Sequence, residues 1–112
     1  MRTNFGPKTW MYPQPVLILA TYNADGTPNA MNAAWGCMSD VNQIAIYVDK
    51  RHKTAENILN RKAYTVSMAV ASQMVPCDYV GVVSGNNQPD KFSHTGWTTV
   101  KSEHVDAPVI NE

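Results

Sequence analysis

Cysteine is scarce in this chain of 112 residues: Cys37 and Cys77 are its only two. They are too few and too far apart for a disulfide framework or a zinc site, and they read as free, semi-buried thiols. His52, His94 and His104 do not fall at metal-ligand spacing. Neither sign of charge is in excess, with 9 basic and 9 acidic residues and a formal net charge of +0. A nucleic-acid binder usually shows a clear basic surplus, so that class is not expected. Long apolar runs are missing too. The longest, Val16 to Ala20, is far short of a membrane span. The N-terminal segment from Met1 to Pro15 has no apolar stretch of the kind a secretory leader carries, so a reducing cytoplasm is the expected compartment. No glycine-rich phosphate loop and no Rossmann glycine fingerprint is present. No carboxylate pair and no Ser-His-Asp arrangement can be read from the order of residues, which leaves hydrolase chemistry without support.

What remains is 44% hydrophobic and 16% charged residues, the composition of a globular domain and not of a disordered chain. The length fits one domain over 1–112. No repeat or Pro/Gly/Ser-rich linker divides it. Val16–Tyr22 reads as a buried strand, Asn23–Gly26 as a turn, and Asn29–Gly36 as a second strand that makes a hairpin with the first. Ile44–Val48 is a third strand and Tyr64–Ala69 a fourth. Thr54–Asn60 reads as a short helix with Thr54 as N-cap and with Ala55, Ile58 and Leu59 on one face. Val75–Val83 reads as a mostly apolar helix with Pro76 in its first turn. Asp90–His94 is a further helical turn stopped by Gly96, and Thr98–Glu103 a short strand. Nothing in Ala107–Ile110 resembles a closing strand. The fold class is therefore mainly β with short helices, a barrel or sandwich.

Three stretches can carry chemistry. The first is Pro28 to Gly36. Ala30, Ala33, Ala34 and Gly36 leave little side-chain volume, so a flat ring can approach the backbone. Asn29 and Asn32 offer directed hydrogen bonds, and Trp35 can wall off a ring edge. The same stretch also reads as a tightly packed strand with Trp35 as a core anchor. The second is Asp49 to Asn57, where Lys50, Arg51 and Lys53 precede a helix start. Free N–H groups there, with Arg51, Lys53 and the Thr54 hydroxyl, make a phosphate pocket; a solvated charged loop explains them as well. The third is Ser84 to Phe92, in which Lys91 can bring a cation to a phosphate or a reducible ring, unless the stretch is only a helix end and a surface loop.

Together these stretches resemble the flavin reductase-like family that includes the flavoredoxins. The likeness is carried by Lys8-Thr9-Trp10 and Tyr12-Pro13-Gln14-Pro15-Val16, by Thr27 through Gly36, and by Arg51-His52-Lys53-Thr54-Ala55-Glu56-Asn57-Ile58. Asp78-Tyr79, Val83-Ser84-Gly85, Asp90-Lys91-Phe92 and Val105-Asp106-Ala107-Pro108 extend it in order over almost the whole chain. The resemblance implies an FMN-binding split β-barrel, usually a homodimer. Electrons would pass from NADH or NADPH to FMN and on to an unknown acceptor. It implies that Asn29, Ala30, Met31, Asn32, Ala33, Ala34 and Trp35 line the isoalloxazine ring. Arg51, Lys53 and Thr54 belong to the phosphate and ribityl end, aided by Asn57. Ser84, Gly85 and Lys91 complete the pocket. Domains of this family run past the point where this chain stops, so the resemblance also implies a barrel left incomplete on its C-terminal side. An FMN-binding module without efficient reductase activity, or a remnant that binds no flavin, stands beside the reductase reading.

Overall fold

The computed structural model describes residues 1–112. Its central element is β1 (Leu17–Tyr22), flanked by β2 (Pro28–Ala33) and β5 (Thr65–Met68) in an antiparallel sheet of order β2-β1-β5. β1 is apolar from Leu17 to Ala20 because both of its faces are covered there. Ile18 on one face joins Ala30, Cys77, Val80, Phe92 and Trp97 in the larger core cluster. Leu17 and Leu19 on the other face pack with Ala33, as the strand period of two requires.

The β1–β2 hairpin forms as the turn residues predict, with Leu17 opposite Ala33 and Tyr22 opposite Pro28. Asp25 Oδ1 accepts from the Thr27 amide at 3.0 Å and from the Thr27 hydroxyl at 2.6 Å, and Gly26 takes the positive φ of 85° that the turn needs. The hydroxyl of Thr27 holds the Asp25 carboxyl below the ordinary carboxylate range.

The second strand does not run on to Gly36. It stops at Ala33, and β3 (Gly36–Asp40) begins after a break at Ala34 and Trp35, pairing with β4 (Gln43–Ile46). β3 contains no β-branched residue, so nothing local announces it; its order comes from pairing with β4. Gly36 lies where a Cβ would meet Leu17 Cδ1 at 2.7 Å and the Ala45 carbonyl oxygen at 3.0 Å. The absence of a side chain there lets the β3–β4 hairpin sit close to the start of β1.

The first helix, α1 (Lys53–Arg61), starts one residue earlier than the sequence suggests. His52 and not Thr54 is its N-cap, and no side chain caps it. Ala55 is buried, but Leu59 is 61% exposed, so the expected apolar face is narrower than its spacing implied. The second helix, α2 (Met74–Val82), carries Pro76 in its first turn and lays Cys77 and Val80 on the Ile18–Ala30 face. A 3₁₀ segment over Lys91–Thr95 ends at Gly96, with φ 76°, as expected.

Near the C-terminus one reading is corrected. Pro108–Ile110 is a strand, β7, paired antiparallel with β6 (Thr99–Lys101). Three residues led by a proline give no strand signal, although the first position of a strand tolerates proline well. β7 also lies against β1 and β5, and the Thr65 hydroxyl donates to the Pro108 carbonyl. Cys37 is an exposed free thiol and Cys77 a buried one.

Leu19 is fully buried. Leu19→Ala is expected to lower the unfolding free energy by about 2–5 kcal/mol in urea melts, whereas the exposed Leu59→Ala stays within about 0.5 kcal/mol. Equal effects would contradict this assignment of the core.

Candidate functional site

β2 is an edge of its sheet, so alternate backbone N–H and C=O groups point away from β1. Beside that edge lies a groove in two parts, which share Met31 and His52. One is an apolar shelf of about 230 Å³ formed by Met31, Asn32, Ala33, Ala34, Trp35, Tyr47, Val48 and His52. The other is a cleft of about 160 Å³ in which Met31 and His52 recur beside Lys53, Thr54, Ser84, Gly85 and Lys91. No carboxylate lines either part. Trp35 is 60% exposed, so it walls the shelf and is not the core anchor of the bland reading. It also faces a larger cleft of about 620 Å³ beneath the segment from Lys8 to Pro15.

The cleft sits at the N-terminus of α1. Because His52 supplies no side-chain cap, the amides of Lys53, Thr54 and Ala55 have no protein acceptor. A helix start left open in this way favours an anion, through free N–H groups and the positive end of the dipole. The Lys53 ammonium lies 3.1 Å from Glu56 and is partly exposed. Lys91 is nearly enclosed at 3% exposure. Its Nζ donates to the carbonyls of Val80 at 2.9 Å and Val83 at 2.8 Å, at the C-terminal end of α2, where a cation is favourable. Burial pushes its pKa down to about 8.

Of the residues the sequence singled out, the groove brings together Met31, Asn32, Ala33, Ala34, Trp35, Lys53, Thr54, Ser84, Gly85 and Lys91. Four lie elsewhere. Ala30 is buried in the core cluster with Cys77 and Val80. Arg51 is exposed, its guanidinium closed on Asp49 with Nη2 2.7 Å from Oδ2, which holds the Asp49 carboxyl well below its ordinary range. Asn29 and Asn57 are buried behind the groove in a neutral polar network. Asn29 Nδ2 donates to Thr54 Oγ1 at 2.8 Å and to Thr21 Oγ1 at 3.3 Å, and Asn57 Nδ2 donates to Thr21 Oγ1 at 3.0 Å and to Asn23 Oδ1 at 2.9 Å.

Sequence reasoning missed His52, which both parts of the groove share, and Tyr47 and Val48, which follow β4. It missed Asn86, whose Nδ2 donates to the Arg51 carbonyl at 2.8 Å and ties the Ser84–Asn87 loop to the approach to α1. The density of amides in Ser84-Gly85-Asn86-Asn87 was the available signal. A Cβ on Gly85 would meet Asn29 Oδ1 at 2.9 Å and Lys53 Cβ at 3.1 Å. This glycine is therefore required by close packing of the loop over the cleft floor.

The fold is that of the split β-barrel class, mainly β with two short helices. The chain belongs to the flavin reductase like domain family, whose model matches residues 10–112. Among solved structures it is similar to the flavoredoxin of Desulfovibrio vulgaris (Miyazaki F), at 39% identity and a TM-score of 0.90, over 100% of this chain and 62% of that one. It is similar to the flavoredoxin from Methanosarcina acetivorans at 25% identity and a TM-score of 0.86, over 100% of this chain and 59% of the other. The fold is shared with an FMN-binding domain of a flavin reductases-like enzyme from Shewanella baltica OS155, at 23% identity and a TM-score of 0.76, over 87% and 52% of the two chains. This chain thus spans less than two thirds of the length of each. Among curated protein sequences none matches. No helix is long and apolar enough to cross a membrane.

Lys91 gives the site a pH signature. From about pH 8 up to the ordinary lysine range the unfolded chain keeps a proton that the folded chain has shed, so this group adds stability as pH rises through that window. Urea melts of wild type and Lys91→Met at about pH 7 and about pH 10 check it: the difference between the two proteins should shift toward the wild type at the higher pH. A difference independent of pH would contradict the burial of a charged lysine here.

Proposed function

We propose that this chain is an FMN-binding flavoprotein of the flavin reductase type, taking electrons from NADH or NADPH and passing them to an acceptor. One observation carries the reading: two hollows beside β2 share Met31 and His52, one apolar at Trp35 and the other cationic at the start of α1. The residues present fit an FMN molecule. Ala33 and Ala34 leave the strand edge clear for a planar ring, and the lack of a side chain at Gly85 lets its loop pack closely over the polar end. The family, and relatives described as flavoredoxins and as an FMN-binding domain, support the same cofactor.

Bound there, FMN supplies the redox chemistry, accepting hydride from reduced nicotinamide and releasing electrons to a second partner. The protein's own part is binding and tuning. Lys53, Thr54 and the open amides of α1 hold the phosphate. Ser84, Gly85 and Lys91 close that end, with Asn57 in support behind it. Met31, Asn32, Ala33, Ala34 and Trp35 take the ring, and outward N–H groups of this stretch stabilise negative charge on it. Arg51 joins the phosphate only by leaving Asp49. A homodimer in the cytoplasm is proposed with this function, since the β3–β4 hairpin leaves Met38, Val41 and Ile44 exposed. A second reading, an FMN-binding module without efficient reductase activity, is favoured by the openness of the shelf at Trp35 and Tyr47.

Titration of the chain with FMN, followed by visible absorbance, is expected to give a shifted, saturable spectrum at one equivalent. A spectrum identical to that of free FMN throughout would sink both readings. Anaerobic mixing of the complex with NADH or NADPH separates them, since rapid bleaching belongs only to the reductase. In the same titration Lys53→Ala should weaken FMN binding about tenfold, and Arg51→Ala less than about threefold. The reverse order would place the phosphate on Arg51.

A further inference from the structure

We propose that the cleft beneath the N-terminal segment is a second binding site, for a small planar aromatic carboxylate, with Lys8 as its anion contact and Trp10 and Trp35 as its ring walls. The site goes beyond the FMN reading and does not rest on it.

The argument starts from surface that folding has left uncovered. Trp10, Trp35 and Tyr47 are 61%, 60% and 66% exposed, and all three line one cleft of about 620 Å³. That volume falls within the range of small-molecule sites, about 300–1,000 Å³, and exceeds that of either part of the groove. Single apolar residues on a surface need no explanation, but a concave cluster of aromatics does. Aromatic faces and edges suit a planar ring, which they meet by offset stacking or edge-on.

Charge narrows the class. Lys8 is the one charged residue of the lining, which holds no aspartate, glutamate or arginine. It takes part in none of the ion pairs of the chain, so its ammonium is not neutralised. Lys8 Nζ lies 5.7 Å from the centre of the Trp10 ring, which sets the positive charge beside an aromatic wall. A cationic ligand would be repelled there, and a polyanion would find no second cation. One negative charge on an aromatic body matches what the cleft offers. Thr9 and Gln14 add side chains that can hydrogen-bond a carboxylate.

The N-terminal wall holds its own shape. The Met11 amide donates to the Thr9 carbonyl at 2.9 Å, and Gln14 Nε2 donates to the Met11 carbonyl. Pro13 and Pro15 fix two further φ angles. The Phe5 ring packs against Trp10, with centroids 5.3 Å apart. The opposite wall, Trp35 and Tyr47, also belongs to the apolar shelf. A ligand in the cleft is therefore a neighbour of whatever ring the shelf holds.

The test is binding to the full chain without flavin, followed by NMR of the tryptophan indole N–H groups. Trp10 and Trp35 line the cleft and Trp97 lies in the core, so two signals report on the site and the third on the fold. The probes are cinnamate, its neutral amide cinnamamide, and cyclohexanecarboxylate. Cinnamate is expected to move the Trp10 and Trp35 signals saturably and to leave Trp97 in place. It should bind about tenfold more tightly than either other probe, and salt should weaken its advantage over the amide. Lys8→Gln should bring cinnamate down to the level of cinnamamide and leave the amide unchanged. Trp10→Leu should weaken both aromatic probes several-fold. Both residues are exposed, so an unmoved Trp97 signal in each variant shows that the fold is kept. Equal affinities for cinnamate and cinnamamide, or a preference that survives Lys8→Gln, would overturn the role given to Lys8. Signals of Trp10 and Trp35 that ignore cinnamate would overturn the site. If those signals respond instead to protein concentration, with dimers seen in sedimentation equilibrium, the cleft is an interface between two copies of the chain and the proposal fails.

Discussion

The hydrogen bond from Asn29 to Thr54 joins strand β2 to the first turn of α1, and the shape of the groove depends on that junction. Burying amides and hydroxyls costs free energy unless they find partners, so the network of Asn23, Thr21, Asn57, Asn29 and Thr54 stabilises one arrangement and penalises the rest. A slip of one residue in the β1–β2 register would exchange Asn29 for a neighbour on the other face. Thr54 would then lose its partner and α1 its seat. Apolar packing of Leu17 and Leu19 gives the sheet its stability; the polar network decides where the helix start stands relative to the strand edge.

Electrostatics follows from the same placement. Each cation near the groove is handled differently. Arg51 is neutralised by Asp49 on the exposed side, and Lys53 shares Glu56. Lys91 has only carbonyl oxygens for company and carries no counter-charge. A buried ammonium without a carboxylate is costly, and its depressed pKa expresses that cost. An anion in the cleft would repay it, so the groove is a place where the unliganded protein is less comfortable than the liganded one. The absence of carboxylates from the lining keeps that difference from being cancelled.

How far the sequence could be read depended on whether a signal was local. Val16–Tyr22 and the Asn23–Gly26 turn declared the hairpin, because an apolar run and a glycine turn act through near neighbours. The groove stretch around Ala33 and Ala34 was visible for the same reason, as a lack of side-chain volume. β3 was not visible, since Gly36-Cys37-Met38-Ser39-Asp40 is a strand only by virtue of its partner. β7 was hidden by its proline and its brevity. Thr54 was expected to cap α1, but its oxygen is taken up by Asn29, twenty-five positions away in sequence. The family resemblance implied that Asn29, with Ala33 and Trp35, lines a ring. The alternation of β2 and the seat of α1 bury its amide against Thr21 and Thr54, a long-range arrangement that no local pattern announces.

The make-up of the groove also bears on why the family resemblance was legible. Residues that must be small, such as Ala33, Ala34 and Gly85, are constrained by what approaches them, and they leave a pattern in any sequence that keeps the site. Buried amides such as Asn29 and Asn57 are constrained by hydrogen-bond geometry, which many sequence contexts could supply. A cofactor held by backbone edges and a helix start needs few distinctive side chains, since the strongest contacts come from groups every residue possesses. Specificity must then reside where side chains set the polarity of a contact. At the α1 end of this groove those side chains are Lys53, Thr54 and Lys91.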